Sequence, residues 1–186
     1  MEIMRLVVTG PVGAGKSTFI RSVSEIEVVD TDRHATDETA LLKQRTTVAF
    51  DFGRLQFGSD MALHLYGTPG QERFNFMWDM LIRKAHAYIL LVAAHRPSEF
   101  RYARRVINYM NQQAQIPMII GLTHIDCPGA WTEENVAIAL GYIHEHNRPP
   151  IVSVNPTETS SVAKTIMTLV QHYMNNSKKE ASSISG

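Results

Sequence analysis

Eight consecutive residues near the start of the chain, Gly10-Pro-Val-Gly-Ala-Gly15-Lys16-Ser17, have the types and spacing to hold a row of phosphates. They complete the pattern G-x-x-x-x-G-K-[ST], and an apolar run from Ile3 to Thr9 leads straight into it. Each type is needed where it stands. Glycines let backbone N–H groups turn inward around phosphate oxygens, the N-terminus of the following helix adds positive potential, the Lys16 ammonium reaches the terminal phosphates, and the Ser17 hydroxyl ligates Mg²⁺. Gly10, Gly13, Ala14, Gly15, Lys16, Ser17 and Thr18 are the expected contacts of a bound nucleotide. At average residue usage, a chain of this length meets the pattern by accident about one time in a hundred.

A loop of this kind works only between a strand and a helix, and the chain supplies both. Short aliphatic and β-branched runs at Ile3 to Thr9, Thr47 to Phe52, Ala62 to Tyr66, Ala87 to Ala93, Pro117 to Leu122 and Ile151 to Val154 predict six strands. Helices fit Lys16 to Ser24, Glu72 to Lys84, Ser98 to Gln113, Thr132 to His144 and Thr159 to Met174. The alternation predicts an α/β fold: a doubly wound, mostly parallel six-stranded sheet flanked by helices, with ligands at the carboxyl ends of the strands. Asp30 to Arg45 is polar and charged and reads as a long mobile loop. Residues 1–174 are expected to form one nucleotide-binding domain, and 175–186, rich in serine and lysine without apolar periodicity, a disordered tail.

Composition narrows the partners. Eighteen basic residues balance eighteen acidic ones without a Lys/Arg cluster, so nucleic acid is not an expected ligand. The longest apolar stretch, Ala85 to Ala94, is too short to span a bilayer, and neither end carries a lipidation signal, so no direct membrane anchor is expected. A single cysteine, Cys127, forms no internal disulfide and fits a reducing compartment; a cytoplasmic location is the expectation.

Three further segments choose among phosphate-binding enzymes. Tyr66-Gly-Thr-Pro-Gly70-Gln71-Glu-Arg-Phe74 follows a strand and resembles the second switch of the small Ras-like GTPases, whose pattern is D-x-x-G-Q. Arg45-Thr46-Thr47-Val-Ala-Phe-Asp-Phe-Gly53 resembles their first switch, and Gly121-Leu-Thr123-His124-Ile125-Asp126 stands where they carry N-K-x-D. The ensemble, from Met4 to about Met174, is similar to a prokaryotic branch that includes the conservon-type GTPases and relatives of the gliding-motility GTPase. The resemblance implies a GTP/GDP-operated switch with Mg²⁺. Ser17 and Thr47 (or Thr46) would hold the metal, Gly70 would offer its N–H to the γ-phosphate, and Gln71 would orient the attacking water. Asp126 would accept from N1–H and the exocyclic amine of guanine, which adenine does not offer, and Ser153-Val154-Asn155 would contact the guanine oxygen. Expected partners are an effector protein that binds the switch loops and a roadblock-type regulator.

The chain departs from the family pattern at four places. Gly67 replaces the aspartate that steadies Mg²⁺, so metal affinity falls or another acid substitutes. Thr123 and His124 replace asparagine and lysine, with His124 placed to stack on the base. Val12 replaces a glycine, which predicts slow turnover, and Pro69 stiffens the second switch. Arg45, within two positions of Thr47, is either an internal arginine finger or a solvated loop residue, and Phe74, Phe76, Met77 and Trp78 form either an effector surface or core packing. Two other functions stay open: a catalytically weak, nucleotide-dependent binding module, and a phosphate-loop kinase of a small metabolite.

Overall fold

In the computed structural model, which describes residues 2–30, 50–69 and 75–184, the most apolar run of the chain forms the middle of a sheet. Strand β5 (Ala87–Ala93) is buried at every position, as a parallel strand covered on both faces must be. Strands β1 (Glu2–Thr9) and β6 (Met118–Thr123) flank it in parallel. Beyond them lie β4 (Met61–Gly67), parallel to β1, and β7 (Ile151–Ser153), parallel to β6. Strand β3 (Asp51–Phe57) runs antiparallel to β4, and the two-residue β2 (Val29–Asp30) antiparallel to β3. The order is β2-β3-β4-β1-β5-β6-β7. All six expected strands are present, with β2 as a short addition at the edge.

Alternation along the strands sorts the core into two layers. Val7, Tyr88, Leu90, Val92, Ile120 and Leu122 face α2 (Asn75–Ile82), α3 (Phe100–Gln113) and α4 (Glu133–Ala139). Leu6, Val8, Ile89, Leu91 and Ile119 face α1 (Lys16–Val23) and α5 (Thr159–Ile184). Helix α5 seals that face with Val162, Ile166, Leu169 and Val170, the 3.6-residue stripe of an amphipathic helix. Each such side chain contributes about 1.5–3 kcal/mol on full burial, so the strand ends that carry the loops are held by the best-packed part of the molecule.

Three boundaries differ from the sequence expectation. Among the described residues the second expected strand begins at Asp51 and runs past Phe52 to Phe57, because the turn at 58–60, with Gly58 at φ 67°, closes a hairpin onto β4. Its outer half is only partly buried, so its apolar signal is weak. Thr47 to Ala49 lie outside the described residues, as does nearly all of the expected loop from Asp30 to Arg45. Helix α4 stops at Ala139 instead of His144: Gly141, at φ 101°, turns its N–H to the Ile138 carbonyl (3.0 Å), while Tyr142 N–H bonds Ala137 (2.9 Å).

Helix α5 continues to Ile184, where the sequence predicts a disordered tail from Asn175. The apolar stripe ends near Tyr173, but helix-favouring Lys, Glu and Ala follow, and the Ser177 hydroxyl bonds back to the Tyr173 carbonyl at 3.1 Å. Among the described residues, no helix is long and apolar enough to cross a membrane.

Candidate functional site

The loop at 10–15 leaves the carboxyl end of β1 between the ends of β4 and β5 and enters α1 at Lys16. Gly10 is obligatory there: a Cβ would lie 2.2 Å from the Leu91 carbonyl oxygen, on a backbone at φ 138°. Lys16 is a buried cation within the loop, its Nζ donating to the carbonyls of Gly10 (2.7 Å) and Pro11 (2.8 Å). An ammonium has three protons, so one remains for a phosphate oxygen. Burial lowers the Lys16 pKa to about 8, with the Asp51 carboxylate acting in the opposite direction. Val12 stands at the lip of the loop, 56% exposed.

Beside Lys16, the Ser17 hydroxyl donates to Oδ2 of Asp51 at the start of β3. Asp51 pairs in register with Gly67. A Cβ on Gly67 would lie 2.9 Å from Ile20 Cδ1 and 3.2 Å from Asp51 Cβ, so the glycine makes room for an acid that arrives from the neighbouring strand. The hydroxyl and carboxylate form a hard-oxygen pair suited to Mg²⁺. Among the described residues, no cluster of three His, Cys, Asp or Glu side chains offers an alternative metal centre. Asp51 has no role in the sequence reading; its signal was an isolated carboxylate just after the Thr46-Thr47 pair, legible only once its strand is paired with Gly67.

The second-switch segment is fixed where it leaves β4. Thr68 donates its N–H to Val8 O (2.9 Å) and its hydroxyl to Thr9 Oγ1 (2.8 Å), and Trp78 Nε1 donates to Pro69 O (3.1 Å). Met77 and Trp78 are buried in the core, which decides between the two alternatives for core packing at these two positions: at helical spacing both turn toward the sheet. Arg45, Thr46, Thr47, Gly70, Gln71 and Phe74 lie outside the described residues, as does the side chain of Phe76.

At the other end, a cavity of about 630 Å³ opens between Gly15, Thr18, His124, Asp126, Ser153 and Asn155. Thr123, fully buried, donates its hydroxyl to Ala14 O at 2.9 Å and ties the loop after β6 to the phosphate loop. That assigns the tautomer of His124: its Nδ1, 2.9 Å from Thr123 Oγ1, carries the proton that the hydroxyl oxygen accepts. His124 adopts φ 57°, uncommon for a side-chain-bearing residue, and its ring lies 4.7 Å from that of His95 at 35°. Burial, followed by the charges of His95 and Arg96, lowers the His124 pKa, with Asp126 opposing.

Asp126 is exposed at the cavity wall. The Asn155 N–H is taken by Ser161 Oγ at 2.9 Å, and its carbonyl oxygen Oδ1 accepts from Thr157 N (3.1 Å) and Thr157 Oγ1 (2.7 Å). Val154 is buried in the core. The structure thus brings together Gly10, Gly13, Ala14, Gly15, Lys16, Ser17, Thr18, Thr123, His124, Asp126 and Ser153 to Asn155 along one edge of the sheet.

Comparison with known proteins agrees with this architecture. The structure of the small GTPase Arl6 (BBS3) from Trypanosoma brucei, with the nucleotide analogue GppNp, superposes with a TM-score of 0.71. It covers 93% of this chain and 98% of its own at 17% identity, so the small-GTPase fold is shared. A Ras and EF-hand domain-containing protein of Danio rerio is 29% identical over 136 residues, 70% of this chain, and the chain spans only 19% of that protein's length. Residues 27–184 match a family described as conserved hypothetical ATP binding protein, a match that begins after the phosphate loop. With most of its length inside that match and a complete phosphate loop ahead of it, the chain belongs to this ATP-binding family and has the fold of a small GTPase.

Proposed function

We propose that the protein is a guanine-nucleotide switch that binds GTP with Mg²⁺ and hydrolyses it slowly, its two switch loops controlling an effector. The observation that carries this reading is the cavity walled by Asp126, tied through Thr123 and Ala14 to the loop that holds Lys16. A carboxylate there fits the two donors of guanine and repels the acceptor edge of adenine.

The residues divide the work. Lys16 holds the terminal phosphates with its remaining proton, and the backbone at 10–15 cradles them. Ser17 and Asp51 fit a Mg²⁺ ion, with Thr47 as the further ligand expected from the sequence; bound there, the ion would offset charge on the β- and γ-phosphates. Gly70 and Gln71 have the types to sense the γ-phosphate and to orient water, and Arg45 to stabilise developing charge. Val12 at the lip of the loop supports slow turnover. A cytoplasmic location, an effector on the switch loops and a roadblock-type regulator belong to the same reading.

The family description favours a second reading, an adenine-nucleotide enzyme such as a small-metabolite kinase. Single-turnover hydrolysis of GTP and ATP separates the two. The switch reading expects Mg²⁺-dependent GTP turnover that falls by about 10²-fold in Gln71→Ala. GTP bound without turnover would leave the binding module, and ATP turnover alone would establish the adenine enzyme.

A further inference from the structure

Directly after β5 the chain runs Ala94-His95-Arg96, and it is pinned there on both sides. Ala94 N–H bonds Thr123 O and Trp131 N–H bonds Ala94 O, each at 2.9 Å, while Arg96 N–H bonds Ala93 O at 3.1 Å and Glu99 N–H bonds Arg96 O at 3.0 Å. From this fixed turn the Arg96 side chain reaches back over the phosphate loop. A Cβ on Gly13, whose φ is 78°, would meet Nη1 at 2.6 Å, Cζ at 3.5 Å and Nη2 at 3.8 Å. The guanidinium therefore lies on a spot that only glycine leaves open. Arg96 is exposed, and among the described residues its five N–H donors have no ion-pair or hydrogen-bond partner.

The neighbouring base loop, Thr123 to Asp126, carries a carboxylate but no lysine or arginine. A lysine at position 124 would combine a flat stem with a cationic head; His124, backed by His95, supplies the flat surface, and its ring proton goes to Thr123. The two tasks are thus carried by different residues, the plane by the imidazole pair and the charge by the guanidinium on Gly13.

We propose that Arg96 is a nucleotide-positioning residue whose guanidinium, seated on Gly13, holds phosphate oxygens from the outer side of the phosphate loop and supplies the cation that position 124 lacks. The proposal rests on the nucleotide-site reading above and adds to it a residue that no motif contains. Arginine suits the task because its planar fork matches phosphate oxygens and keeps its charge at every working pH.

The test is the dissociation rate of a fluorescent N-methylanthraniloyl GDP from the full chain with Mg²⁺, at low and high salt. Arg96→Ala should release it about tenfold faster at low salt, the worth of one charge-assisted bond. The difference should shrink in high salt, and Arg96→Lys should fall between. Arg96→Ala combined with His124→Lys should bring the rate back toward the wild type, which a merely solvated arginine would not do. Arg96→Ala within about twofold of the wild type at low salt, where screening is weakest, would overturn the proposal. Failure of the double variant to recover would overturn the division of tasks. If the wild type retains only the ADP analogue, the guanine reading has failed and the same series is read with ADP. Retention of neither would end both.

Discussion

The phosphate end and the base end of the site hold their ligands by opposite routes. At the phosphate end one unbroken segment, Gly10 to Ser17, does nearly everything, because a helix N-terminus and its preceding turn are local structures that a short sequence specifies completely. At the base end the work is spread over loops after β5, β6 and β7, which come together only through the sheet. Even at the phosphate end the rule has exceptions, since the acid beside Ser17 comes from β3 and the guanidinium over Gly13 from the turn after β5. The difference teaches that what a site keeps is a chemical group at a point in space, and that the strand delivering it can change when the register brings a neighbour within reach.

That contrast can be broken residue by residue. The largest effect belongs to the contiguous segment: Lys16→Ala removes the buried ammonium of the phosphate loop and should weaken triphosphate binding by about 10²-fold or more, measured by calorimetry. Next is the transplanted acid. Asp51→Ala should raise the Mg²⁺ concentration needed for half-maximal nucleotide retention about tenfold. Adding Gly67→Asp to an Asp51→Gly variant, where the Cβ 3.2 Å away is gone and only the flexible end of Ile20 has to shift, should recover part of the loss. A Mg²⁺ requirement in Asp51→Ala unchanged from the wild type would remove Asp51 from the metal site.

The pH profile is a smaller effect with a definite sign. Burial lowers the free-state pKa of Lys16 to about 8, and a bound phosphate raises it. Triphosphate affinity is therefore fully present below about pH 8 and declines as pH rises through the free-state value, reaching a several-fold loss near pH 9.5 in a calorimetric titration at about constant ionic strength. A flat profile would mean that Lys16 is no more buried in solution than an ordinary lysine. The smallest effect concerns the tie between the two ends. Thr123→Val keeps the shape of the buried side chain but removes its bond to Ala14 O, and should cost about 1–2 kcal/mol in thermal or urea unfolding.

The parts that were legible in the sequence are those with a local physical cause. Uniformly apolar Ala87–Ala93 announced a central strand, and the phosphate loop announced both its strand and its helix. The strand next to the edge was harder: β3 carries Arg54 and Gln56 among partly buried positions, so its run beyond Phe52 to Phe57 was not read. Trp78 shows the limit of composition, since an aromatic near a switch suits a partner surface and a core equally; its bond to Pro69 O decides for the core. Asp51 and Arg96 could not be read from a single segment, because each acts across the sheet or across a loop. Thr123 read only as a departure from the family's asparagine, and its tie to the phosphate loop through the hydroxyl shows only in the fold.

The proposed switch takes guanine in the cavity beside Asp126. The most direct test is a calorimetric titration of nucleotide-stripped protein with GDP, GTP, ADP and ATP in Mg²⁺, alongside Asp126→Ala. Tight binding of both guanine nucleotides, weak binding of the adenine ones, and loss of that preference by about 10²-fold or more in the variant is the predicted result. Equal or adenine-favoured binding, unchanged by Asp126→Ala, would contradict it.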